Sequence, residues 1–301
     1  MLHDMTPITV TDVRAVPGDC AFLLDDGKTA VLYDTGFGFT GSKIAENIQR
    51  ALGTRSLDYI LLTHSHYDHV LATPYITSVY PNAKVIAGEY VAQIFQRPSA
   101  KVIMRELDRK AAIKHEMADY EDLIDDLNVD ITVKDGDRFQ CGDFLFEVIA
   151  LPGHTKCSIG FYLPEHKLLL GSETHGVYFG KNTYLPFFLV GYQLTLYAFE
   201  KVKKLEIEKI LLPHYGVVDR EEAQVYLENS EAATRETAQT MLSMLKDGKT
   251  NDEILAFFEA RDYRDNVKPT YPIDAFHLNT SIMIEQIRKE FLNQSNKEGR
   301  I

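Results

Sequence analysis

The chain has 301 residues, 45% hydrophobic and 25% charged, the composition of a globular protein long enough to bury its own core. That excludes a collagen-like repeat, a peptide-sized scaffold and a wholly disordered chain. Lys and Arg number 32 against 44 Asp and Glu, a formal net charge of −12. Phosphate backbones repel an acidic chain at long range, so nucleic acid and an anionic membrane are not expected partners.

The three cysteines, Cys20, Cys141 and Cys157, are odd in number and never form a Cys-x-x-Cys pair, so no disulfide framework is expected. A reduced, cytoplasmic compartment fits. Residues Met1 to Val10 lack a basic patch followed by an apolar run, and no apolar stretch approaches about 20 residues. Neither a signal peptide nor a transmembrane span is expected.

In chain order, Asp19 to Asp26 and Thr29 to Tyr33 are short apolar runs joined by Asp26-Gly27, a hairpin signal. Gly41 to Leu52 has helical spacing. Tyr59 to Leu62 reads as a buried strand, as does Lys84 to Ala87, and the alternation predicts an α/β protein. Arg97 to Leu127 predicts one or two inserted helices, with Ile103, Leu107, Ala111 and Ile113 as the apolar stripe. Strands resume at Asp130 to Val133, Arg138 to Cys141, Phe144 to Leu151, Ser158 to Leu163 and Lys167 to Leu170. Thr174 to Val190 reads as an aromatic-rich loop, Tyr192 to Leu205 as a helix and Lys209 to Leu212 as a last strand. From Arg220 onward only helices are expected: Glu221 to Leu245, Asn251 to Arg261 and Asp274 to Leu292, with Asn251 and Asp274 as caps. The tail from Asn293 is polar and expected to fray.

Five histidines sit in three short stretches at strand ends, where a rigid scaffold exposes functional groups. They are His64-Ser65-His66-Tyr67-Asp68-His69, Pro152-Gly153-His154-Thr155 and Pro213-His214-Tyr215-Gly216. His64 and His66 are two apart on an extended segment, so both rings can point to one side. Three imidazoles and a carboxylate within six residues make a poor core element, because burying them unpaired is costly. A divalent cation resolves this by taking the lone pairs. The donors are nitrogen and oxygen without thiolate, which suits zinc, iron or manganese.

The His-x-His-x-Asp-His run after a short apolar strand resembles the signature of the metallo-β-lactamase superfamily. Pro152 to Thr155 is similar to its second histidine loop, Leu212 to Gly216 to its last, and Asp34-Thr35-Gly36 to its early Asp-x-Gly turn. The resemblance spans roughly residues 8 to 218. It implies an αββα sandwich of two mixed sheets with helices outside; the all-helical region from 219 to 301 departs from the minimal family domain and resembles the C-terminal extension or cap of some thioesterase-like members. It also implies two divalent metal ions, zinc first among the three. One would be held by His64, His66 and His154, the other by Asp68, His69 and His214. The family usually bridges its metals with an aspartate after a strand-end glycine. Here Leu170-Gly171-Ser172 leads to Glu173, one methylene longer, as the stand-in. His175 could be an extra ligand or line the mouth, and Asp34 would orient a ligand histidine.

The activity implied is hydrolysis of a small ester, thioester or lactone by a metal-bridging hydroxide, with Asp68 both ligating and accepting a proton. The alternatives are a phosphodiesterase, which would want a basic groove, a di-iron redox protein, whose relatives usually carry Glu where this chain has His66, and a metal-containing sensor with little turnover. Tyr67, Tyr178, Tyr184 and Tyr215 could bind a developing oxyanion or form a half-buried aromatic wall. Cys157 reads as a packed residue; His3, His115 and His166 read as surface residues. The helix bearing His277, with Phe276, Ile282, Ile284 and Ile287 as its stripe, would cover the cleft, pack or dimerise. The partners expected are a small-molecule substrate and a second copy of the chain.

Overall fold

β1 (Thr9–Asp12), β2 (Phe22–Asp25) and β3 (Ala30–Tyr33) pair antiparallel in succession. Gly27, at φ +87°, supplies the left-handed residue that the expected Asp26-Gly27 turn needs. The structure is a computed structural model and describes residues 7–293. His3 and the tail after residue 293 lie outside the described residues. By contacts the chain forms two compact units, one of residues 1–150 with 159–171, the other of 151–158 with 172–301. The helices after 219 therefore share a unit with the segment carrying His154 and with residues 172–218.

In the first unit the chain alternates after β3. The elements are α1 (Gly41–Leu52), β4 (Tyr59–Leu62), α2 (Tyr67–Val70), α3 (Thr73–Val79), β5 (Lys84–Gly88), α4 (Glu89–Phe95), α5 (Pro98–Lys114) and β6 (Ile131–Val133). β3 to β6 pair parallel in order, with Leu61 opposite both Tyr33 and Ile86. A mixed sheet β1-β2-β3-β4-β5-β6 results. β7 (Arg138–Cys141), β8 (Phe144–Ala150), β9 (Ile159–Leu163) and β10 (Leu168–Leu170) follow as an antiparallel meander. β3 and β9 are buried along their whole length, as inner layers between a second sheet and helices must be. The α/β fold class, two sheets flanked by helices with helices after them, is as expected.

α1 has the expected bounds and buries Ile44, Ile48 and Leu52 at successive turns. The inserted segment differs from its expected stripe. α5 is one helix, and it buries Met104, Asp108 and Ala112 while Ile103 and Ile113 stand 58% and 66% exposed. The reason is polar. Asp108, 2% exposed, accepts from the Gly38 backbone N–H at 2.9 Å. A Cβ at Gly38 would meet that carboxylate at 2.8 Å. The helix is rotated to bring a carboxylate inward, which apolar periodicity does not reveal.

The second unit contains β11 (Val177–Tyr178), β12 (Tyr184–Leu185), α6 (Tyr192–Val202), β13 (Lys209–Leu212), β14 (Gly216–Asp219), α7 (Arg220–Lys246), α8 (Asn251–Asp262) and α9 (Ile273–Phe291). β13 is not the last strand, because β14 pairs back on it with Leu212 opposite Gly216. The expected aromatic loop contains the β11–β12 ribbon. Thr250, not Asn251, caps α8, in a reciprocal capping box with Glu253. Pro272 precedes α9, and Asp274 lies in its first turn, where a carboxylate suits the helix dipole. α9 buries Phe276, Met283, Ile284 and Ile287 in a core with Phe187, Phe188 and Met241; Ile282 of the expected stripe is only half-buried. Glu290 of α9 accepts from the Tyr192 and Gln193 N–H groups at the start of α6, at 2.8 and 3.2 Å. Among the described residues no helix is long and apolar enough to cross a membrane.

Asp108 generates a stability prediction. Burial pushes its carboxyl up to about 6, against the Tyr120 and Gly38 hydrogen bonds and with Asp122 and Asp19 adding to the rise. Between about pH 4 and pH 6 the folded chain keeps a proton that the unfolded chain releases, so stability falls as pH rises through that window. Asp108→Asn keeps an acceptor for Gly38 and removes the titration. Its denaturant-unfolding free energy is expected to vary less between pH 4 and 7, by about 1–3 kcal/mol. An unchanged pH profile would refute the assignment.

Candidate metal centre

Four expected ligands lie in the first unit. β4 ends at Leu62, and His66, itself extended, precedes the single turn of α2 that carries Asp68 and His69. His64 and His69 are fully buried. The His64 ring lies 4.6 Å from that of His66 and 4.1 Å from that of His69, centroid to centroid. Rings this close repel one another if all are protonated. Asp68 Oδ2 is 3.9 Å from His69 Nε2.

Asp34 sets the ring orientations. Its side chain, 0% exposed, accepts from the Thr63 N–H at 2.8 Å, from the Thr63 hydroxyl at 2.8 Å and from His69 Nδ1 at 2.8 Å. The Cys20 thiol is 3.5 Å away. Thr63 Oγ1, its proton given to Asp34, also lies 3.0 Å from His64 Nδ1 and so accepts from it. Both histidines therefore keep a proton on Nδ1, which leaves Nε2 as the atom a metal would take in place of a second proton, the usual arrangement of a metal-ligating imidazole. Burial works against a charge on His69, but Asp34 above all, with Cys20 and Asp68, outweighs it and holds the ring well above its usual value. Asp34 itself has a φ of +50°, an uncommon conformation that clusters at functional sites. Asp34 thus reaches two histidines, His69 directly and His64 through Thr63.

The other three lie in the second unit. His154 Nδ1 is 3.1 Å from the Phe187 carbonyl, which can only accept, so Nδ1 bears the proton. His154 Nε2 is 2.8 Å from Glu173 Oε2, and His214 Nε2 is 3.3 Å from Glu173 Oε1. A nitrogen lone pair and a carboxylate oxygen at 2.8 Å need a proton or a cation between them. The donor set is thus chemically suited to a divalent metal. Glu173 is 7% exposed and begins a one-turn 3-10 helix, Glu173–His175, capped by Ser172. Thr174 ties that turn to the His154 loop, donating to the Leu151 carbonyl at 2.6 Å and accepting from the His154 N–H at 3.4 Å. His214 has a φ of +63°, a second strained residue after Asp34.

The remaining candidates fall differently. His175 does not line a mouth: it is 2% exposed, packs edge-on against Phe199 at 4.9 Å, and burial pushes it down to about 4 against the Ala198 backbone and Glu231. Tyr178 stacks on Tyr184 at 5.1 Å and packs against Tyr215 at 4.5 Å; Tyr178 is buried, and Tyr215, next to His214 in sequence, is exposed. Tyr67 packs against Phe37 at 5.6 Å in the cluster under α5. His277 pairs with Glu259 of α8 at 2.7 Å. His115 stacks on Phe39 at 5.6 Å and His166 lies 6.5 Å from Phe144, so both are half-buried rather than simply at the surface. The three cysteines are buried and none is in a disulfide.

Sequence reading missed Thr63, Thr174 and the Phe187 carbonyl. Thr63 had a signal, since it directly precedes His64 at a strand end. A backbone carbonyl has none.

The family description "Metallo-beta-lactamase superfamily" matches residues 15–214. Glyoxylase B2 of Dictyostelium discoideum is 27% identical over 154 residues, 50% of this chain and 47% of its own. A hydroxyacylglutathione hydrolase of Brucella anthropi is 30% identical over 132 residues, 43% of this chain and 38% of its own. The chain thus spans less than half the length of these two relatives. A metallo-beta-lactamase family protein from Thermus thermophilus has a similar structure, with a TM-score of 0.62 and 19% identity over 90% of this chain and 88% of that one. At that identity the likeness is one of fold.

Asp34→Asn tests the orienting carboxylate. Asparagine tolerates a positive φ but has one acceptor atom for these donors. Metal affinity, measured by competition with a chelator, is expected to fall about 10–100-fold. Affinity within about twofold of wild type would show that Asp34 does not orient the rings.

Proposed function

We propose that this chain, which belongs to the metallo-beta-lactamase superfamily, is a metal-dependent hydrolase of a small thioester, with esters and lactones as chemically related substrates. One observation carries the reading: the Glu173 carboxylate is set against the Nε2 atoms of both His154 and His214, while the other nitrogen of His154 is committed to the Phe187 carbonyl. Relatives named hydroxyacylglutathione hydrolase support the thioester class. His64, His66 and His154 would hold one divalent ion, and Asp68, His69 and His214 the other, with Glu173 serving both. Zinc is the ion we propose, and iron and manganese suit the same donors. Three cysteines outside any disulfide support a reducing, cytoplasmic setting.

Such ions, when bound, bring the pKa of water near neutrality and polarise an acyl oxygen. The protein's own part is orientation and proton transfer. Asp34 and Thr63 hold His69 and His64 in the ligating tautomer. The Asp68 carboxylate, 21% exposed, accepts the proton of the attacking water and returns it to the leaving thiolate. The Tyr178 and Tyr215 rings offer an aromatic surface for the rest of the substrate.

Elemental analysis of protein expressed with zinc, iron and manganese present is expected to find about two ions per chain, and a substrate panel to show thioester turnover above phosphodiester turnover. His66→Ala and Asp68→Ala are expected to lower occupancy and abolish turnover with the circular dichroism spectrum unchanged. Absence of stoichiometric metal would overturn the reading. Metal with phosphodiester turnover alone would overturn the substrate class.

A further inference from the structure

A single 3-10 turn cannot by itself hold a carboxylate to the fraction of an ångström that a metal site needs. The Glu173–His175 turn is held from behind by α7. Tyr226 and Ser230 are four residues apart and share one face of that helix, and each is 1% exposed. The single Tyr226 hydroxyl proton is given to the Gly176 carbonyl at 2.8 Å and shared with the His175 carbonyl, 3.2 Å away. The Ser230 hydroxyl donates to the His175 carbonyl as well. Burial raises the Tyr226 phenol far above its ordinary value, so it remains a donor. Gly176 has a φ of +88°, and a Cβ there would come within 2.8 Å of Ser230 Oγ and 3.2 Å of the Leu185 carbonyl. The approach of helix to turn is therefore one that only glycine permits.

We propose that α7 is a positioning element for the metal site, its Tyr226 and Ser230 hydroxyls fixing the turn that aims Glu173 at His154 and His214. The proposal rests on the reading of Glu173 as a metal ligand. It gives the helical extension a role beyond covering or packing: the extension supports the carboxylate through the carbonyls at the end of its turn. The direction of these carbonyls sets the turn. The α7 groups that meet them are hydroxyls, which a phenylalanine and an alanine would remove with little change in shape.

The test uses the full-length, metal-loaded protein with Tyr226→Phe, Ser230→Ala, Glu173→Gln and their combinations. Zinc stoichiometry and both dissociation constants are read by chelator competition, and the melting temperature is read after metal removal. Tyr226→Phe and Ser230→Ala are each expected to weaken the less tightly held zinc about 10–100-fold. Combined with Glu173→Gln they are expected to add little, because they act through that side chain. The Glu173→Gln background separates this role from a general loss of stability, since a purely structural effect would persist there in full. Both dissociation constants within about twofold of wild type, or full additivity with Glu173→Gln, would overturn the proposal. If Tyr226→Phe does not fold, Ser230→Ala decides by the same criterion. Wild-type protein without zinc affinity would overturn the functional reading and this proposal together, whereas wild-type binding with unaffected variants would overturn this proposal alone.

Discussion

Asp34 is a buried carboxylate, and a buried carboxylate must be surrounded by donors or be neutralised. The first unit answers with the Thr63 N–H and hydroxyl, the Nδ1 of His69 and, further off, the Cys20 thiol. Satisfying one charge therefore fixes the rotation of a histidine on α2 and, through the threonine, that of a histidine at the end of β4. The scaffold makes this possible. β3 and β4 are adjacent and parallel, so the residues that follow their ends, Asp34 and Thr63, emerge side by side, and the Asp34 N–H is held by the Leu61 carbonyl at 2.9 Å. The Thr63 carbonyl is in turn held by the Ile159 N–H at 3.0 Å. A strand-end aspartate with a positive φ is unfavourable in isolation; here the surrounding donors over-determine it.

The second unit solves the same problem with backbone carbonyls. Phe187 fixes the His154 tautomer, Leu151 takes the Thr174 hydroxyl, and the carbonyls of His175 and Gly176 take hydroxyls from α7. Phe187 also belongs to the core that α8 and α9 complete. The helical extension is thus continuous with the elements that orient this donor set. Apolar packing fixes where the chain runs, and hydrogen bonds to its carbonyls fix which way the donors face.

The departures from expectation share a cause. Apolar spacing places Ile103 and Ile113 of α5 inward, because apolar residues at helical spacing usually face the core. The helix instead turns Asp108 inward to satisfy the Gly38 N–H, and a one-residue offset on a helix is a rotation of about 100°. α8 is capped one residue earlier than expected, because Thr250 and Glu253 can form a reciprocal box and Asn251 with its own N3 residue cannot. His175 is buried against Phe199 rather than exposed, because the turn after Glu173 is pinned beneath α6 and α7. In the first two cases a polar satisfaction requirement overrode a pattern read from local spacing.

Much of the fold and most of the donors were legible in the chain. α1, β4, β7 and β13 have the expected bounds because each is a short run whose apolar period and flanking turn residues agree. The histidine stretches were legible because imidazoles and a carboxylate that close in sequence cannot be buried without a common partner. The placement of Glu173 at the strand-end glycine was legible as a departure from a pattern. What the sequence left open is everything that depends on a partner far along the chain: the rotation of α5, the strand that follows His214, the tautomers of His64, His69 and His154, and the hydroxyls of Tyr226 and Ser230 beneath the Glu173 turn. Local periodicity and composition encode which residues go inside and where the chain turns. The direction in which a buried polar atom points is set by the donor or acceptor that meets it, and only the folded chain, which brings residue 34 to residue 63 and residue 176 to residue 226, decides which atom that is.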